Sequence, residues 1–311
     1  MLNIIQNYED TAYWEQLTQD YLNRNWCTYE ESKNIWSYFK YCLKTQNRFF
    51  FSNSLLSHIE DQFNSHVFEL HENTHIYRAR IDENDEYYEQ CWLARNYMDL
   101  QYLAEDNEFH DYFANQAKEI AESERFQLFL SRYMNGFEGF DAQNSSAPPF
   151  NYATAGRCNP ENVSFLYASN DEHTATAEVR PYIRSAISVA TLCTKRNLKL
   201  VDFYYENNEQ GVRVIDNNFF EQIREDFSKL NKGNKEEYLV TQYLSLFAKS
   251  LGFDGIRFRS SLVEKGTNYV IFDADNCTPI SSKMYILKKV EYGLFPILLD
   301  EEKDLILNEP V

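Results

Sequence analysis

Glycine and proline are scarce in this chain of 311 residues, with 9 and 7 occurrences. Long loose linkers are therefore not expected. The six cysteines (Cys27, Cys42, Cys91, Cys158, Cys193 and Cys277) lie far apart with no CxxC spacing. That pattern reads as reduced, buried thiols in a cytosolic protein. No apolar run approaches the roughly 18 residues of a membrane span. The opening MLNIIQNYED lacks a basic n-region and a sustained apolar stretch, so no signal peptide is expected. The triplets at Asn144 and Asn162 therefore carry no weight as glycosylation sites. Basic excess is lacking too: the formal charge is −18 and the sequence pI near 4.8. Nucleic acid and anionic membranes are repelled by such a field. GxGxxG, P-loop and GxSxG patterns are all missing, which argues against nucleotide binding of those types and against an acyl-transfer elbow. A cytoplasmic location is expected.

What the chain has in quantity is aromatic surface, 23 Phe, 23 Tyr and 4 Trp. A chain of this size buries enough of it to need no disulfide or metal staple. The order of elements predicts an α+β protein, with a helical N-terminal domain over residues 1–70 followed by a mixed domain over 71–292 and a tail over 293–311. In the first part Trp14, Leu17 and Tyr21 share a helical face. Thr28 and Glu31 form a capping box before a stripe of Ile35, Phe39, Cys42 and Leu43. A third helix is expected over Ser54–Leu70.

The run HENTH at 71–75 matches HExxH, which in metalloproteases needs both histidines one helical turn apart. Asn73 and Thr74 are poor helix-interior residues and a strand pattern follows, so a turn is expected and no metal. In the strand at 75–81, Arg78 and Arg80 share one face opposite Tyr77 and Ala79. Paired guanidiniums suit anion capture, since each fork matches phosphate oxygens. Residues 83–140 read as a helical insertion. Later helices are expected behind Asp216 and over Glu236–Leu251, and strands over 188–192, 198–205, 253–259, 269–272 and 284–292.

Between them, the stretch Gly156–Glu178 delivers Arg157 after a Gly, Tyr167 on a short strand, and Glu178 from the first turns of a helix. Three chemistries on three local structures are placed to converge. Each also has an ordinary structural explanation: a cap for Arg157, a core aromatic for Tyr167, and a dipole-favoured first-turn acid for Glu178. Ser260 could likewise be ordinary turn chemistry.

The segments Tyr77-Arg78-Ala79-Arg80, Gly156-Arg157-Cys158-Asn159-Pro160, Leu166-Tyr167-Ala168, Thr174–Glu178, and Asp254-Gly255-Ile256 through Arg259-Ser260-Ser261, with Gly266 and Asn268, together resemble the RES-domain family of bacterial proteins. The N-terminal helices resemble the extension that often precedes that domain. The resemblance implies an ADP-ribosyltransferase-like fold and an enzyme that consumes NAD+ at its nicotinamide–ribose bond, as a glycohydrolase or a phosphorylase. It implies a toxin or defence effector held off by an antitoxin or regulatory protein. NAD+ would be the substrate and inorganic phosphate a potential co-substrate, with no cofactor and no metal. Glu178, Arg78 and Ser260 are the implied catalytic residues; Arg157, Tyr167, Arg80, Ser261 and Asn268 are implied to bind substrate. Transfer of ADP-ribose to a macromolecule, or a non-catalytic protein-binding module, are the alternatives. A homo-oligomer is left open.

Overall fold

The computed structural model describes residues 11–24, 29–45, 53–105, 109–204, 218–229 and 238–291. Helices α1 (Thr11–Arg24), α2 (Tyr29–Thr45) and α3 (Asn53–Ser65) open the chain. Helix α2 has Glu30 and Glu31 in its first turn and Lys44 in its last, the signs its dipole favours. Its Ile35, Trp36, Phe39 and Leu43 are buried together, as are Leu55, Ile59 and Phe63 at four-residue spacing on α3. The expected third helix is shorter than its pattern. It ends at Ser65, and Val67–Leu70 form strand β1, paired antiparallel with β5 (Leu198–Asp202). Sheet pairing overrides local period there. Residues 71–74 then turn back into β2 (His75–Ile81), with Asn73 at φ 62°. His71 and His75 therefore do not share a helical face, and the HExxH geometry does not form.

The helical insertion consists of α4 (Glu86–Glu105), α5 (His110–Glu122) and α6 (Glu124–Tyr133) around a small core of Ala94, Phe126 and Phe129. Its last helix is capped by Ser123, which accepts from the Phe126 amide. The short α7 (Ala142–Ser145) follows. Then come β3 (Leu166–Ser169), α8 (Glu172–Glu178), β4 (Ala186–Thr194), β5, α9 (Asn218–Ser228), α10 (Leu239–Ser250), β6 (Gly255–Arg259), β7 (Thr267–Ile271) and β8 (Cys277–Ile286). The last strand starts earlier and ends earlier than the 284–292 expected from its pattern, because its pairing partner is β4 over Ala186–Thr194. The cap at Asp216 and the start of the Glu236 helix lie outside the described residues, as does Thr28 of the capping box.

Among the described residues eight strands form one mixed sheet in the order β1-β5-β6-β7-β3-β2-β4-β8. Every pairing is antiparallel except β5–β6, which is reached through α9 and α10. Alternation divides the sheet cleanly. Val201, Ile256 and Val270 face α1–α3, α9 and α10 in one continuous aromatic core, where Phe203 stacks on Phe227 at 4.2 Å. Leu198, Leu200, Tyr269 and Ile271 face the other way. The protein is thus α+β, and its N-terminal helices share a core with the sheet. No described helix is long and apolar enough to cross a membrane.

Within the N-terminal helices His58 is buried, its Nε2 2.5 Å from the Tyr21 hydroxyl. Burial pushes its pKa below the ordinary 6.5, with Asp61 partly opposing. A folded-state pKa below the unfolded value means the unfolded chain binds more protons, so stability is full above pH ~6.5 and falls as pH drops. Urea unfolding of wild type should show lower stability at pH 5.5 than at 7.5. In His58→Gln that difference should shrink.

Candidate functional site

Strands β2 and β3 share a single registered pair, Tyr77 with Ser169. Beyond it they part, although β2 continues seven residues in register with β4 and β3 continues four with β7. A cavity of about 470 Å³ lies at this parting, lined by both strands, by α8 and by Arg157, Tyr238, Phe258 and Asn268. By alternation Tyr167, Ser169, Phe258 and Asn268 fall on the sheet face that carries α9 and α10. Arg78 belongs to the opposite pleat and reaches the cavity where the strands separate.

Helix α8 is started by Asp171, whose carboxylate accepts from the Thr174 amide at 2.7 Å and from the Thr174 hydroxyl at 2.8 Å. Its last residue is Glu178. The first-turn placement suggested by the sequence is thus corrected: Glu178 sits at the end where the helix dipole opposes a carboxylate. Donors from other elements offset this. Oε1 accepts from the Ser260 hydroxyl at 2.7 Å and from the Asn268 amide at 2.6 Å. Both donors are oriented by their own partners. Ser260 Oγ accepts from the amides of Leu262 and Val263, at 3.1 and 3.2 Å, so its single proton is directed to Glu178. Asn268 Oδ1 accepts from Ser169 at 2.8 Å, which turns its NH2 toward Glu178. Among the described residues nothing bonds to Oε2.

Arg78 donates to the Ser146 carbonyl at 3.1 Å and has no carboxylate partner among the described residues. Burial, helped by the neighbouring Arg80, lowers its pKa to about 10, so it remains charged at neutral pH. Arg157 behaves as the cap considered from sequence. Its guanidinium donates to the Lys229 carbonyl at 2.5 Å and to those of Asp226 and Phe227, closing α9, while lying 5.7 Å from the Phe258 ring centre. Tyr167 presents its ring to the cavity while its hydroxyl is occupied. The hydroxyl donates to Asn159 Oδ1 at 2.6 Å and accepts from the Cys158 amide at 2.9 Å. Burial, with Cys158 nearby, holds its pKa well above the ordinary phenol value.

The structure therefore brings together Glu178, Ser260, Asn268, Arg78, Arg157 and Tyr167. Arg80 and Ser261 are not among them. The Arg80 guanidinium donates to the Asn144 carbonyl at 2.7 Å and lies 5.0 Å from the Phe140 ring centre. Ser261 is exposed in the turn after β6. Ser169, Phe258, Asn159, Tyr238 and Arg180 were not assigned to the site from sequence. Ser169 and Phe258 had a signal, lying two residues along a strand from Tyr167 and Ser260. Asn159 stood in the quoted motif segment without an assigned role, and Tyr238 and Arg180 had no signal. Among the described residues the cavity lining holds three arginines and one acid, a cationic balance in an acidic chain.

Gly266 has a steric role here. A Cβ at Gly266 would stand 2.9 Å from Thr174 Oγ1 and 3.0 Å from Ser260 Cβ. Only a bare backbone lets the Ser260 turn approach α8. Gly266→Ala should lower stability by about 1–3 kcal/mol, measured by urea unfolding, and weaken any ligand binding that depends on Glu178.

The family model described as RES domain matches residues 138–287, which span the Arg157 loop, β3, α8 and the Ser260–Asn268 hairpin but not β2. No curated protein matches the sequence. Among solved structures, a chain of the crystal structure of the M. tuberculosis MbcT–MbcA toxin–antitoxin complex aligns at 9% identity with a TM-score of 0.38, covering 76% of this chain and 93% of that chain. The motif segments from Gly156 to Asn268 and the match fall on the same stretch: residues 138–287 are similar to the RES domain.

Proposed function

We propose that the cavity binds NAD+ and that Glu178 promotes cleavage of its nicotinamide–ribose bond. The observation that carries this reading is the Glu178 carboxylate. Two oriented donors fix Oε1, and among the described residues Oε2 has no protein partner, in a cavity whose lining also includes Arg78, Arg157, Arg180 and the rings of Tyr77, Tyr167, Tyr238 and Phe258.

When the C1′–N bond breaks, its electron pair leaves with nicotinamide and positive charge develops on the ribose. A preorganised carboxylate lowers the energy of that charge most where water is sparse. Arg78, charged and without a carboxylate partner among the described residues, suits a phosphate of the dinucleotide. Arg157 adds positive field from its place against α9 rather than an open fork. The Tyr167 ring, with its hydroxyl occupied, is a flat surface suited to border nicotinamide. Ser260 and Asn268 act through Glu178 as positioning residues. Water attacking C1′ gives ADP-ribose and a proton; inorganic phosphate gives ADP-ribose 1″-phosphate. On this reading the biological role is that of a toxin or defence effector that depletes NAD+, restrained by a protein antitoxin.

Chromatography of NAD+ incubated with purified protein, with and without phosphate, should show nicotinamide released and one of these two products. Label retained on a macromolecule would instead indicate ADP-ribose transfer. Glu178→Gln should lower kcat about 10²–10³-fold with an unchanged circular dichroism spectrum. A rate equal to wild type would remove Glu178 from the chemistry. Ser260→Ala should cost about tenfold, in line with the loss of one hydrogen bond to a charged group.

A further inference from the structure

Helix α8 is terminated in an unusual way. Arg180, two residues past Glu178, adopts φ 48°, and its amide donates to the Ala177 carbonyl at 3.0 Å. That left-handed position beyond a helix end is ordinarily filled by glycine or asparagine. An L side chain disfavours it, and the following Pro181 restricts the backbone of Arg180 further. Nothing in the helix calls for arginine, because a glycine would close it with less strain.

The side chain lies on the cavity instead. Arg180 is exposed at the cavity lining, and no hydrogen bond or ion pair engages it among the described residues. Among the described residues Arg78 lines the same cavity without a carboxylate partner, and Glu178, the single acid in the described lining, is committed through Oε1 to Ser260 and Asn268. A strained backbone that aims an unpaired cation into a cationic cavity is what an anionic ligand requires. We propose that Arg180 is an anion-binding residue of this site, gripping from the solvent side a phosphate group whose other flank is met by Arg78. The identity of the anion as the diphosphate of NAD+ rests on the function proposed above; the anion site itself does not.

Arg180→Gly separates the two roles, since glycine supplies the backbone and removes the cation. Its melting temperature should be no lower than that of wild type. Its calorimetric Kd for inorganic pyrophosphate should rise about tenfold, a change of about 1.4 kcal/mol. KM for NAD+ should rise similarly with kcat little changed, and Arg180→Lys should recover part of the affinity. Pyrophosphate and NAD+ bound equally well by the glycine variant and by wild type would reduce Arg180 to a cap and overturn the inference. So would wild-type protein that binds no pyrophosphate. Pyrophosphate binding that weakens in Arg180→Gly, in a protein that neither binds nor consumes NAD+, would keep Arg180 as an anion ligand and remove the NAD+ reading alone.

Discussion

A carboxylate in the last turn of a helix stands against the field of that helix, and much of the site can be understood as the means of holding Glu178 there. The opposing partial charge is about half an elementary charge, and α8 has too few turns to bury the group alone. The donors come instead from the Ser260 turn and from β7, each fixed by partners of its own. That arrangement needs the Ser260 hairpin pressed against α8, which Gly266 permits. It also needs β3 and β7 in register, which the four pairs from Leu166–Ile271 to Ser169–Asn268 provide.

The parting of β2 from β3 supplies the other half of the site. A continuous sheet would have hidden Arg78 on the far pleat. Because the strands separate after one pair, residues of both faces reach the same cavity. The insertion contributes to this from outside. Arg132 donates to the Gly139 carbonyl at 2.9 Å, and the segment it holds carries Phe140, Asn144 and Ser146 to the two β2 arginines. Arg78 is left to the cavity and Arg80 is drawn away.

That difference marks the limit of what the sequence could show. Period two correctly placed Arg78 and Arg80 on one face, yet sharing a face is not sharing a site; only the path of the 137–146 segment distinguishes them. Ser260 and Asn268 were legible as pieces of a motif, whereas their joint hold on one oxygen of Glu178 is a matter of register. Helices with apolar faces, such as α2 and α3, were legible because burial enforces their period. Strand β1 was not, since four residues carry too little pattern and its state is set by β5. Arg180 gave no signal, because an arginine before a proline does not suggest a left-handed helix terminus.

Arg157 binds the end of α9, and α9 in turn holds Asp226, whose carboxylate accepts from the Trp36 indole at 2.8 Å and from Lys40 at 3.1 Å on α2. Burial alone would raise the Asp226 pKa, but Lys40, Lys229 and Trp36 together hold it below the ordinary carboxylate value. A mechanical line therefore runs from the cavity wall through one helix end into the first helical layer. The amino-terminal helices are in this sense a buttress for the pocket rather than a detachable cassette. A lineage that altered their packing would change the placement of a cavity arginine without touching any residue of the RES motif.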